Sequence, residues 1–252
     1  MVVLHGLTAT RRYVVMGSQV LARAGLRAIA YDARAHGASS PAPAPSEYGY
    51  DELTGDLRAV LDELHIERAV LAGASMGAHT ALAFALASPS RVAALCLITP
   101  AYDPDLQDAG RSLERWDALA AGLRTGGVEG FVRAYDLANV PEQWRRTVET
   151  VLRQRLSAHE HPAAVADALE TVPRSRPFSS LGDLDAIAVP AIVVGSRDVA
   201  DPGHPLALAQ RYAAALPRAR LQVEDEGRSP IAWQGGALSR LIVELASAVD
   251  HS

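Results

Sequence analysis

Ser75 is the residue in this chain with the strongest case for chemistry. It lies at the centre of Gly73-Ala74-Ser75-Met76-Gly77, a G-x-S-x-G turn joining an apolar run that begins at Ala69 to an Ala-rich stretch that ends at Ala87. A lone serine hydroxyl is a poor nucleophile. In a strand-turn-helix setting the turn holds the serine in a strained conformation and lifts its Oγ above the strand. The following helix then aims its first N–H groups at whatever the hydroxyl attacks. Gly73 and Gly77 fit places where strand and helix approach too closely for a Cβ. Attack on a carbonyl also requires a proton acceptor and donors for the developing oxyanion.

The histidines are the candidate acceptors. His204 falls in a loop after a late apolar strand, six residues beyond Asp198, where it could swing toward Ser75. His79 follows Ser75 by four residues, so it faces the same way but one turn below the hydroxyl. His5 closes the first strand and could order the loop after it. His65, His159 and His161 read as surface residues or as part of a helical segment, and His251 as chain tail.

Strands are expected at 2–5, 27–31, 69–74, 92–99, 191–196 and 220–224, with helical periodicity at 11–25, 50–66, 205–217 and 237–249. Strand-helix alternation of this kind implies an α/β chain with a mostly parallel sheet of about six strands and helices on both faces. The alternation stops between Asp103 and Ser180, where helix follows helix. Residues 1–103 and 181–252 therefore read as a core and 104–180 as a helical lid over the strand ends, where open α/β sheets bind ligands. Trp116, Trp144, Phe131 and Tyr135 in that segment read as its own core.

Composition removes several function classes. The 252 residues carry a net charge of −5, which gives nucleic acid no basic footprint. Hydrophobic residues make up 49%, yet no run reaches the length of a membrane span. MVVLHG has no basic region ahead of its apolar residues, so no signal peptide is expected. Cys96 is the single cysteine, which excludes an intrachain disulfide and suits a reducing, cytoplasmic setting. All 24 basic residues are arginine, so lysine chemistry is excluded. No metal-ligand spacing and no phosphate loop are present, and neither metal nor cofactor is expected.

This order of elements and motifs resembles the α/β-hydrolase superfamily over nearly the whole chain. The resemblance implies that the HGLT turn carries one oxyanion N–H, on Leu7 with Thr8 as second choice, and that Met76 supplies the other. Asp32-Ala33-Arg34-Ala35-His36-Gly37 is similar to a family loop in which a glycine stands where Ala35 does, and in which the histidine is structural. The triad acid is expected after the strand that follows the lid, at Asp198, with Asp201 as fallback and Asp103 at an alternative position. The family places its histidine in the loop after the last strand. Here Gly227-Arg228 stands where Gly-His is usual, and arginine accepts no proton near neutral pH. Two readings follow: Arg228 pairs with Asp198 and leaves Ser75 without a base, or His204 serves instead.

The function implied is a serine hydrolase of a small ester, lactone or related acyl compound, with catalytic Ser75, Asp198 and His204. The alternatives are a degenerate member that binds a small apolar ligand, and a lyase or C–C hydrolase on the same scaffold. The partner implied is a small-molecule substrate, with no nucleic acid and no membrane. The family's opening two-strand hairpin has no counterpart ahead of the H-G strand, so strand 27–31 would be an edge, and a weak homodimer is expected.

Overall fold

The computed structural model describes residues 1–106 and 109–250, and His251 lies outside them. One sheet of six parallel strands has the order β2-β1-β3-β4-β5-β6. The strands are β1 Val2–Leu4, β2 Ile29–Ala30, β3 Ala69–Ala74, β4 Val92–Ile98, β5 Ala191–Val194 and β6 Ala219–Gln222. The helices are α1 Val20–Arg23, α2 Tyr50–Glu63, α3 Met76–Ala87, α4 Ala109–Ala134, α5 Glu142–Leu156, α6 Pro162–Thr171, α7 Leu206–Ala215 and α8 Gly235–Asp250.

The central strands are apolar on both faces because both are covered. Leu71, Leu95, Leu97 and Val193 pack against α2, α3 and α7, while Val70, Ala94, Cys96 and Ile192 pack against α1 and α8. The residues of β6 are only half-buried or exposed. Between β4 and β5 the described residues form helices and no strand, with α4 bent at Gly127 (φ 58°, ψ −148°). Leu119, Leu123, Phe131, Val165 and Leu169 from these helices share an apolar cluster with Leu7 and Met76. Trp116 packs against that cluster, whereas Trp144 is exposed, so it is not core as expected.

The segment 11–25 departs from its helical pattern. It forms a 3-10 turn at Arg11–Tyr13 and the single turn α1, separated by left-handed Met16 and Gly17. Its backbone there runs against α8: a Cβ on Gly235 would lie 2.0 Å from the Val15 carbonyl oxygen. Strand β2 is also shorter than expected, and two residues offer little template for edge pairing.

The turn around Ser75 is set by backbone contact. A Cβ on Gly73 would lie 2.2 Å from the Gly77 carbonyl oxygen, and one on Gly77 would lie 2.3 Å from that of Leu4. Gly77→Ala is expected to cost about 3 kcal/mol or more, because backbone must move. Gly55→Ala, on the open face of α2 with nothing within 4 Å, should instead add about 0.5–1 kcal/mol. Urea midpoints of the two variants, moving in opposite directions from the parent, check both.

Candidate active site

Ser75 joins β3 to α3 with φ 50° and ψ −113°, a backbone conformation non-glycine residues rarely hold. Its N–H donates to the Ile98 carbonyl (2.9 Å), and its carbonyl accepts from Ala78 and His79 as α3 begins. The residue is half-buried, and its Oγ makes no hydrogen bond among the described residues. The loop after β1 runs beside it, close enough that a Cβ on Gly6 would lie 3.5 Å from the Ser75 Cβ. The N–H groups of Leu7, Thr8 and Met76 donate to no other group among the described residues.

His79 is committed elsewhere. The Ala101 and Tyr102 N–H groups donate to its Nε2 at 2.9 and 3.0 Å, and its Nδ1 lies 3.0 Å from the Tyr50 hydroxyl. The neutral ring therefore carries its proton on Nδ1 and holds the chain after β4 against α3. Burial, with the neighbouring charge of His204, pushes its pKa down to about 3.

The loop after β5 arranges its carboxylates differently from the sequence expectation. Asp198 accepts from Trp233 Nε1 (2.6 Å) and the Ala200 N–H (2.9 Å), and among the described residues it forms no hydrogen bond or ion pair with a histidine or Arg228. The expected Asp198–Arg228 ion pair is not formed. Arg228 is exposed on the turn after β6, where its N–H donates to the Asp225 carbonyl. The carboxylate that meets His204 is Asp201, with both oxygens 2.8 Å from Nδ1. A short turn makes the difference: Asp198 caps Ala200, which directs its second oxygen to Trp233, and the His204 N–H returns to the Asp201 carbonyl. Burial opposes the charge of Asp201, but His204, Arg155 and Arg115 outweigh it and hold the carboxyl below its ordinary pKa. Asp103 is taken up by Arg211 (2.8 Å). Buried Glu224 ties the loops after β5 and β6 together, accepting from the Arg197 and Ile231 N–H groups.

Two further side chains carry no sequence signal. Arg155, near the end of α5, lies over the rings of Trp233 (4.7 Å) and Tyr13 (5.5 Å). Its Nε is buried without a hydrogen-bond partner among the described residues. His159 reads from sequence as a surface or lid residue, but it is buried against the loops after β1 and β2. Its partner Gly37 is 122 positions away, so no local pattern could reveal the contact. His5 accepts from the Ala33 N–H, as its expected ordering role requires, and His36 lies buried beside it. Among the described residues, no cluster of three or more His, Cys, Asp or Glu could hold a metal ion, and no helix is long and apolar enough to cross a membrane.

The family model described as the alpha/beta hydrolase fold matches residues 1–233. A 2-hydroxy-6-oxononadienedioate/2-hydroxy-6-oxononatrienedioate hydrolase of Cupriavidus pinatubonensis is 29% identical over 232 residues, covering 89% of this chain and 77% of the relative. A thermophilic esterase from Thermogutta terrifontis, solved with malate bound, superposes with a TM-score of 0.78 at 26% identity, covering 98% of this chain and 89% of that one. The enol-lactonase from Burkholderia xenovorans superposes with a TM-score of 0.74 at 25% identity, covering 98% and 90%.

The buried neutral histidines set an acid limit on the fold. In the unfolded chain a histidine titrates near 6.5. Folded His79 and His5 are pushed down to about 3 and His159 to about 4, each chiefly by burial. Below pH 6.5 only the unfolded chain gains these protons, so stability is complete above that pH and falls as the pH drops toward the folded values. The expected loss is up to about 1.4 kcal/mol per pH unit for each histidine. Urea midpoints between pH 7.5 and 4.5 check it; a flat profile would contradict the neutral assignments.

Proposed function

The chain belongs to the α/β-hydrolase fold family and is a hydrolase of that type, and we propose that it acts through Ser75 on a small ester, lactone or related acyl compound that carries a carboxylate. The observation that carries this reading is the Asp201–His204 pair. A carboxylate on Nδ1 leaves Nε2 as the proton acceptor, and His204 Nε2 has no partner among the described residues. In this reading Ser75 Oγ attacks the carbonyl carbon and passes its proton to His204 Nε2. The Leu7 and Met76 N–H groups hold the oxyanion, and Asp201 stabilises the imidazolium. His204 then protonates the leaving oxygen as the acyl-oxygen bond breaks. Water, losing its proton to the same nitrogen, cleaves the acyl-enzyme and releases Ser75. The helices of 109–174, packed on Leu7 and Met76, act as the lid.

The carboxylate preference rests on Arg155. A guanidinium held between two rings, with a buried donor unmatched, suits an anionic group on the substrate. A named relative acts on a dioate and a structural neighbour holds malate, which agrees with that preference. The first of these also favours C–C bond hydrolysis as a second reading of the same site. The binding-only alternative rested in part on Arg228 standing in place of a base, and the Asp201–His204 pair supports the catalytic reading over it.

Ser75→Ala is expected to lower turnover of 4-nitrophenyl esters by about four to six powers of ten. His204→Ala should lower it by at least about three, whereas Arg228→His should change it little. Unchanged turnover in His204→Ala, or a large gain in Arg228→His, would return the missing-base reading. Arg155→Met should raise KM for the 4-nitrophenyl monoester of succinate about 10–100-fold and leave that for the acetate unchanged. Equal effects on both esters would contradict the carboxylate preference.

A further inference from the structure

We infer that His159 is a positioning residue that ties the helical insertion to the loop after β1, so that the segment carrying Arg155 also sets the oxyanion N–H of Leu7. This rests on the reading of Ser75 and that loop given above.

Three successive carbonyls of the loop each face a ring nitrogen of a different histidine. The Gly6 oxygen lies 2.9 Å from His5 Nδ1, the Leu7 oxygen 2.6 Å from His36 Nε2, and the Thr8 oxygen 3.4 Å from His159 Nε2. The three rings form a row, with centroids 5.0 Å apart for His5 and His36 and 5.4 Å for His36 and His159. The second nitrogen of two of them fixes the tautomer. His5 Nε2 accepts from the Ala33 N–H and His159 Nδ1 from the Gly37 N–H, both at 2.9 Å. The proton therefore sits on the nitrogen that faces the loop, and His5 and His159 are donors to it. The Gly6 carbonyl and the Leu7 N–H belong to one peptide, so donation to the former strengthens the latter as a donor.

His5 and His36 come from the sheet and its adjoining loop. His159 comes from the turn that ends α5, and reaches the Thr8 carbonyl across 151 positions. A further bond, from the Glu160 N–H to the Gly37 carbonyl (2.9 Å), makes the attachment a three-bond clip. The anchor on the sheet side is stiff: Gly37 has φ +53°, and a Cβ there would lie 2.2 Å from the Asp32 carboxylate. His159 follows Arg155 by four residues, about one helical turn. One end of α5 thus presents Arg155 to the rings of Tyr13 and Trp233, and His159 to the oxyanion loop. Burial alone does not require imidazole here. A phenyl ring would fill the same space but leave the Gly37 N–H and the Thr8 carbonyl unpaired. A shift of about 1 Å in a catalytic group can cost about 100-fold, and loss of an oxyanion donor costs about 100–1,000-fold. Loosening the loop through one intermediary is expected to cost about 10–100-fold in kcat.

The test crosses two substitutions in the full chain, with 4-nitrophenyl acetate as substrate. His159→Phe keeps the ring and loses both bonds. His159→Asn loses the ring and keeps an acceptor for Gly37 and a donor. The expected result is a 10–100-fold fall in kcat with little change in KM for the phenylalanine variant, and recovery to within a few-fold of the parent for the asparagine variant. Hydrogen exchange of residues 5–9, followed by mass spectrometry, should quicken in the first variant and not in the second. If His159→Phe does not fold, His159→Ala takes its place. Parental kcat in the bond-deleting variant, a loss that asparagine does not restore, a change confined to KM, or unchanged exchange would each overturn the inference. If Ser75→Ala retains turnover, the reading of the nucleophile fails instead, and the exchange experiment still decides whether His159 holds the loop.

Discussion

Everything at the proposed site depends on a backbone-to-backbone contact between α3 and β1. At Gly77 nothing separates the helix from the Leu4 carbonyl, and at Gly73 nothing separates the strand from the first turn of the helix. That closeness forces the chain to reverse within one residue, and Ser75 takes the strained conformation as a result. It also brings the loop after β1 alongside the serine, so that a nucleophile and free N–H groups converge without a long side chain to order. The strain is held by hydrogen bonds on either side of it, from the Ser75 N–H to Ile98 and onto the Ser75 carbonyl from α3.

Around that contact the chain uses buried neutral imidazoles as two-ended connectors. His79 joins α3 to the segment after β4 and to Tyr50; His5 and His159 join the loop after β1 to 33–37. Each ring satisfies backbone groups that could not be buried unpaired. His204 differs from these. Among the described residues its side-chain partner is a carboxylate, and its other nitrogen makes no hydrogen bond. What sets the proposed base apart from the connectors is that second nitrogen, together with its greater exposure.

The parallel sheet was legible because VVL, AVLAGA, VAALCLI and AIVV are buried on both faces and carry no polar interruption. The expected bounds of the fourth strand differ from those observed by one residue. Helix 11–25 was not legible, since its apolar spacing is real but the close approach of α8 breaks it at Met16 and Gly17. The glycine motif located Ser75 because the constraint is local. Ala35, noted as replacing a family glycine, does sit at φ 68°, where glycine would be less strained. The pairing of His204 with Asp201 rather than Asp198 turned on which carboxylate a three-residue turn consumes, which spacing does not encode. Arg155 and His159 depend on where a helical insertion lands, and such contacts lie far apart in sequence.

The central claim is that Ser75 is activated by His204, borne on the loop after β5, in place of a histidine after β6. The most direct measurement is the rate at which a fluorophosphonate modifies the protein, with the labelled residue mapped by mass spectrometry in the parent and in His204→Gln. The account predicts a single adduct at Ser75 in the parent and a second-order rate at least about 1,000-fold lower in the variant. Equal rates in the two proteins, or an adduct on any other residue, would contradict it.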